Sequence, residues 1–351
     1  MAPPPRQPPE LPIEIVGEII LRVPPDEPAD LLCASLVCKR WCRLLSDPVF
    51  RRRYCRYHRT PLLLGFVHNM LHSNPRFVST VASPCSPPAL DSRDWWALDC
   101  RHGRVLIRSF APSVFSVWDP LTRELQRVPR APYPHDYYTG AVLCDAAGCD
   151  HLDCHGGPFR VVVVGIHDED GSTWVSEYSS ETSEWRACAS TSMELGSHMS
   201  PSLHIGNALY FMVDSTSKIL RYDLAGMTVS VIDVPEEYEK VGTVVMLEDG
   251  RLGFAGIVDR SLYLWSWQEA GADSAAGWEE YCRVIELATV LPVPGMLVSL
   301  RIAGFIEGTG TIFLSTNADL FTVKIKSGRV KKVAKKEVYS SILPYTSFYS
   351  P

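Results

Sequence analysis

The chain has 351 residues, 46% of them hydrophobic and 21% charged, a globular composition that excludes a largely disordered protein. The length suggests about two domains. The formal net charge of −6 argues against a dedicated nucleic-acid binder, and no apolar run nears the ~20 residues that span a bilayer.

The first ten residues, MAPPPRQPPE, read as an extended or disordered leader without an apolar signal core. The 11 cysteines are odd in number and scattered. That pattern favours reduced thiols over a disulfide framework and predicts an intracellular, cytoplasmic or nuclear, protein. Charge is uneven. Residues 1–60 hold ten Lys/Arg against seven Asp/Glu, leaving this end at +3 and the remainder at −9. The excess lies in Arg51, Arg52, Arg53, Arg56 and Arg59. It reads as a solvated helix face, or as a surface that meets an acidic partner.

From Leu11 the pattern becomes helical. Leu11, Ile15 and Ile19 recur at a spacing of four, with Val16 and Ile20 beside them. Pro12 suits a first helical turn, and Pro24, Pro25 and Pro28 end the helix. Further short helices are expected near 29–36, 39–45 and 49–57. A unit of about 50 residues buries little surface by itself. Its apolar positions, among them Leu31, Leu36, Val37, Trp41, Leu44 and Leu45, are too many to point inward together. Some are expected to dock on another protein or on the following domain.

After Pro61 the helical period vanishes. Short β-type runs follow, at 105–109, 115–118, 159–166, 208–213, 253–258, 263–267 and 311–315, separated by Gly, Pro, Asn, Asp and Ser. A weak repeat organises them. FSVWDPLTRELQRVP from Phe115, VSEYSSETSEWRAC from Val175, ILRYDLAGMTVSVIDVP from Ile219 and LFTVKIKSGRVKKV from Leu320 are each a strand, a polar turn and a second strand. The aromatic anchors Trp118, Tyr178, Tyr222, Trp265 and Phe321 stand 60, 44, 43 and 56 residues apart. Units of ~40–50 residues with four strands each predict a β-propeller. The protein is thus mainly β, with a helical N-terminus. About six blades are expected, with five or seven as neighbouring counts, and a sandwich fits about 290 residues of repeated hairpins poorly. The apolar stretch 338–348 is predicted to pair with a strand from 61–82 and so close the ring.

Candidate chemistry is sparse. Cys144, Cys149, His151, Cys154 and His155 form the densest Cys/His cluster. Their separations lack the paired CxxC spacing of a strong zinc signature, so a polar loop with chance thiols, and no metal, is expected. His102, His167, His198 and His204 accompany no GxSxG, HExxH or P-loop motif. The run 167–170 reads as an acidic turn. Lys324, Lys326, Arg329, Lys331, Lys332, Lys335 and Lys336 read as a charged sheet edge that discourages aggregation, or as a contact for an acidic substrate. The tryptophans are expected mostly between blades, with one or two at a binding mouth.

Residues 11–58 resemble an F-box. Leu11-Pro12, Glu14, Ile15, Ile19, Leu21, Arg22, Val23-Pro24, the run Val37-Cys38-Lys39-Arg40-Trp41, Ser46-Asp47-Pro48 and Phe50 follow that family's pattern. The Pro-rich connection PPDEPADLLCAS departs from it. Residues 61–351 resemble the β-propeller region of plant F-box proteins, through PLLLGFVHN, RFVST, DCRHGRVL at 99–106 and VWDPLTRELQRVP. The resemblance implies a substrate-receptor subunit of an SCF-type ubiquitin ligase. Leu11, Pro12, Ile15, Ile19, Val37, Cys38, Trp41 and Leu45 would meet a Skp-family adaptor and, through it, a cullin-RING ligase. The propeller would hold a protein substrate. No catalytic residue, cofactor, nucleic acid or membrane is implied. A non-degradative scaffold and a propeller enzyme with a helical cap are the alternatives. The enzyme would need convergent titratable groups at the channel mouth.

Overall fold

A computed structural model describes residues 11–25, 28–70, 73–81, 95–110, 113–131, 137–152, 154, 156–166, 172–191, 200–213, 217–236, 242–271, 275–291, 300–317, 319–335 and 341–348. Four helices come first: α1 (Ile13–Ile20), α2 (Pro28–Val37), α3 (Lys39–Ser46) and α4 (Pro48–His58). Pro28 and Pro48 open α2 and α4, where a missing N–H costs no helical hydrogen bond. Asp47 caps α4 by accepting from the Val49 N–H at 3.0 Å. Val16, Ile20, Leu31, Leu45, Phe50 and Tyr54 form the helical core.

The chain then enters a ring of sheets. β1 (Leu62–Met70) and β2 (Ser73–Ser79) are an antiparallel pair. β3 (Trp95–Arg101), β4 (Arg104–Phe110), β5 (Ser113–Trp118) and β6 (Leu125–Val128) form a four-stranded meander. The next blade is β7 (Tyr137–Cys144), β8 (Phe159–Ile166), β9 (Thr173–Ser179) and β10 (Glu184–Thr191). β11 (Leu203–Ile205), β12 (Ala208–Val213), β13 (Lys218–Asp223) and β14 (Thr228–Asp233) follow. β15 (Gly242–Met246), β16 (Leu252–Val258), β17 (Ser261–Gln268) and β18 (Gly277–Glu286) make the fifth sheet, and one turn of helix, α5 (Leu287–Val290), leads out of it. β19 (Arg301–Ile306), β20 (Thr311–Ser315), β21 (Asp319–Lys324) and β22 (Val330–Lys335) make the sixth. Last, β23 (Ser341–Ser347) returns to β1, pairing Leu62 with Ser347 and Val67 with Leu343.

Six blades result, as the repeat spacing predicts, and the C-terminal strand closes the ring against β1, also as predicted. Closure covers β1, which would otherwise be an exposed sheet edge, with the inner strand β23. The repeated hairpins are the two outer strands of each blade. All five aromatic anchors lie on third strands and are buried: Trp118, Tyr178, Tyr222, Trp265 and Phe321 on β5, β9, β13, β17 and β21. Two tryptophans bond between blades. Trp185 Nε1 donates to the Pro129 carbonyl at 2.8 Å, and Trp278 Nε1 to the Asp233 carbonyl at 2.7 Å.

The inner strands β23, β3, β7, β11, β15 and β19 surround the axis. Two devices hold neighbours close there. The Asn69 side chain donates to the Ala97 carbonyl at 2.7 Å and accepts from the Ala97 N–H at 2.9 Å, joining β1 to β3 as a short length of strand would. At Gly304 on β19 a Cβ would stand 2.6 Å from the Ile342 carbonyl oxygen on β23, so only glycine permits that approach. Lys331, Lys332 and Lys335 are exposed on the edge strand β22, and Lys332 pairs with Asp319 at 2.6 Å, which fits the charged-edge reading.

Candidate functional site

The helix α1 is apolar on two faces. Val16 and Ile20, four apart, enter the helical core at 2% exposure each. Leu11, Ile15 and Ile19, also at spacings of four, face solvent at 54%, 47% and 52%. Leu36 and Val37 at the end of α2 and Val49 at the start of α4 are exposed as well. Among the expected adaptor contacts, Leu11, Pro12, Ile15, Ile19, Val37 and Cys38 are therefore at the surface. Trp41 is half-buried against the helical core. Leu45 needs correction: it is buried within that core and supports the face rather than forming part of it.

Much of the basic run is used inside the molecule. On α4, Arg52 and Arg56 reach Asp150, in the β7–β8 connection, at 3.7 and 3.2 Å. Arg53 pairs with Glu18 on α1. Leu152 and Phe348, one from the same connection and one from just beyond β23, pack into the helical core, with Phe348 edge-on to Tyr54 at 6.4 Å. The Tyr54 hydroxyl donates to the Val23 carbonyl at 2.7 Å. The helical domain thus sits on the end of the ring where inner strands turn into second strands.

A cavity of about 280 Å³ opens on the axis at this end, lined by Arg59, Asp99, Arg101, His102, Glu307 and Phe348 among others. Asp99 and Arg101 alternate on β3 and so share a face. Arg101 donates to Asp99 at 2.6 Å, to Glu307 through Nε and Nη2 at 2.9 and 2.6 Å, and to the Ser202 carbonyl at 3.0 Å. Asp99 accepts from the Val142 N–H at 2.8 Å, and Glu307 from the His204 N–H at 2.9 Å. One cation thereby ties β3, β7, β11 and the β19–β20 turn together.

Burial pushes the Asp99 carboxyl up to about 6, against the pull of Arg101 and the Val142 N–H. Burial acts on Glu307 in the same direction, but the Arg101 charge, its hydrogen bonds and the His204 N–H outweigh it and hold that carboxyl below its ordinary range. Burial also opposes the Arg101 charge, and the two carboxylates more than restore it. His102 is pressed down to about 2, by burial first and then by Arg101 and His151, and is neutral.

Titratable groups therefore do converge at the channel mouth, although no motif in the sequence marks them. They satisfy one another: the guanidinium is spent on two carboxylates and a carbonyl, and the carboxylates accept from backbone N–H groups. The tract DCRHGRVL supplies Asp99, Arg101, His102 and Arg104, yet the pairing with Glu307 bridges 206 positions and was not visible locally. The polar alternation of Asp99 and Arg101 within an otherwise apolar strand was the available signal.

The Cys/His cluster is compact. One ligand atom from each of Cys144, Cys149, His151 and Cys154 lies within 4.8 Å of the others. Cys144 ends β7, and the other three sit in the β7–β8 connection. His155, His198 and the run 167–170 lie outside the described residues.

A four-helix F-box domain on a six-bladed propeller is the class of protein this architecture defines. The chain belongs to the family described as "F-box protein AT5G49610-like, beta-propeller", which matches residues 96–351, and residues 9–57 match an "F-box-like" domain. No curated protein matches significantly. Among solved structures, a functionally unknown protein from Desulfotomaculum acetoxidans is similar at TM-score 0.44 and 13% identity, covering 80% of this chain and 89% of that one. TolB from Acinetobacter baumannii is similar at 0.43 and 13%, covering 87% and 72%. An oligogalacturonate lyase from Vibrio parahaemolyticus is similar at 0.36 and 10%, covering 75% and 71%. At TM-scores below 0.5 these likenesses carry no functional weight.

Proposed function

We propose that this F-box protein is a substrate-receptor subunit of an SCF-type ubiquitin ligase. The observation that carries the reading is the solvent-facing stripe of Ile15 and Ile19 on α1, continued by Leu11 just before it, on a helix whose other apolar face already fills the domain's core. An apolar stripe left over after a core is complete is a docking surface, and the F-box assignment makes a Skp-family adaptor its occupant. Catalysis by such a subunit is proximity. The receptor raises the local concentration of substrate lysines beside a ubiquitin-charged enzyme and performs no covalent step. The Asp99–Arg101–Glu307 network at the channel mouth is a set of mutually paired groups that bridges blades, which supports a structural role for it.

The helical domain covers one end of the ring, so a substrate would be read on the other. The second strands β4, β8, β12, β16 and β20 end there, at Phe110, Ile166, Val213, Val258 and Ser315. Phe110 is 52% exposed, with the Arg108 guanidinium 5.4 Å from its ring. A binding titration of purified Skp-family adaptor tests the first half. Wild type binds, and Ile15→Ser with Ile19→Ser weakens binding by at least tenfold while circular dichroism is unchanged. Wild-type protein that fails to bind the adaptor ends the ligase reading.

A further inference from the structure

We infer that Cys144, Cys149, His151 and Cys154 bind one zinc ion, and that this ion shapes the β7–β8 connection into the strut that seats the F-box on the propeller. Spacing alone argued against a metal, but the fold removes that objection. Cys144 arrives from the end of a strand, and the connection curls so that the other three donors meet it. Zn–S bonds of about 2.3 Å in a tetrahedron place sulfurs about 3.8 Å apart. Cys149 and Cys154 Sγ stand 3.6 Å apart, far beyond the ~2.05 Å of a disulfide, and Cys154 Sγ lies 3.7 Å from His151 Nδ1. Three sulfurs and one imidazole nitrogen are a complete structural zinc set, with no position open for catalysis.

The surroundings fit the ion. Zinc with three thiolates and a neutral imidazole carries net charge −1, and binding would release the three thiol protons. Arg104, 4% exposed, is the matching cation: its Nη2 donates to the Cys154 and Gly157 carbonyls at 2.6 Å each, and it has no carboxylate partner among the described residues. Its Nη1 is buried with no hydrogen-bond partner. His102 Nδ1 accepts from the Cys144 N–H at 3.2 Å, and its ring stacks on His151 at 4.4 Å. Such outer contacts orient ligands at metal sites.

The strut follows from what lies between the ligands. Asp150 stands between Cys149 and His151 and receives Arg52 and Arg56 of α4. Leu152 follows His151 and enters the F-box core. The same few residues thus hold the donors and the docking contacts, so ordering one orders the other.

The test uses the full chain purified from zinc-supplemented cells, without adaptor. Elemental analysis should find about one zinc per chain, lost in Cys149→Ser and in Cys154→Ser but kept in Cys42→Ser, whose thiol is exposed on α3. Cobalt added to chelator-stripped wild type should give the visible bands of a tetrahedral thiolate site, a readout that needs no variant to fold. Hydrogen exchange in α4 and in 145–158 should speed up when zinc is stripped. Wild type without zinc or a cobalt spectrum, or variants that retain zinc, overturns the site. Zinc binding with unchanged α4 exchange overturns the strut.

Discussion

Arg101 on β3 holds Glu307 with two hydrogen bonds across the propeller axis, at 2.9 and 2.6 Å, although 206 positions separate them in the chain. A forked guanidinium meets a carboxylate in this way with both charge and direction. Because Asp99 and the Ser202 carbonyl share the same guanidinium, several blades depend on one side chain.

Arg101→Met should therefore be among the most damaging single changes in the ring. It strands two carboxylates in a buried site, which costs roughly 3–5 kcal/mol when one partner of a buried pair is removed. Arg101→Lys should fall between, since an ammonium keeps the charge and loses the fork. Urea unfolding of the three proteins orders them. A methionine variant as stable as wild type would show that the network contributes nothing.

The Asp99 carboxyl gives a signed pH effect. Its folded pKa of about 6 lies above the ordinary 3.8. It therefore favours the folded state at low pH, and that contribution is lost as pH rises through about 6. Asp99→Asn lacks this contribution throughout. Relative to wild type, the variant should gain on the order of 1–3 kcal/mol between pH 4 and pH 7. Glu307, held low, works in the opposite sense and is common to both proteins. Thermal melts across that range decide it, and a constant difference between the two proteins would show that Asp99 does not titrate there.

Core and surface leucines of the helical domain, Leu45 on α3 and Leu36 on α2, give a third test. Leu45→Ala removes a buried side chain and should cost about 2–4 kcal/mol of F-box stability. Leu36→Ala removes an exposed one and should leave stability within about 0.5 kcal/mol. Amide exchange in α1–α4 separates the two. Equal effects would mean that Leu45 is not a core residue.

These contrasts mark what was legible in the sequence and what was not. The outer hairpins were legible because a buried aromatic recurs on each third strand, Trp118 to Phe321, beside polar turns. Inner strands were less so: β11 has three residues, too few to show an alternation. On α1 the apolar residues are plain, but a helix apolar on two adjacent faces does not reveal which face is core; on α3 the expected adaptor contact Leu45 lies in the core instead. The Cys/His cluster was visible as a group, but its spacing did not show how close the four donors lie, because one comes from a strand end and the β7–β8 connection brings in the rest. Asp150 and Leu152, the contacts that seat the F-box, carried no local signal at all.

Ring closure gives the last prediction. β23 is the inner strand of a blade whose other strands come from the opposite end of the propeller sequence, and Ile342, Leu343 and Tyr345 are buried to within 1%. Deleting residues 337–351 removes that strand and exposes β1 as an edge, so the product should be insoluble or readily cleaved by protease. Two point changes divide the effect. Tyr345 packs with Leu64, Val105 and Trp118, inside the ring, so Tyr345→Ala should cost about 3–5 kcal/mol of propeller stability. Phe348 belongs instead to the helical core, so Phe348→Ala should loosen the F-box while the propeller melts near its wild-type temperature. Limited proteolysis reads this directly: cleavage within the blades for the first variant, and near residues 59–61 for the second. A truncated chain that stays soluble and melts with wild type would show that the ring closes without β23.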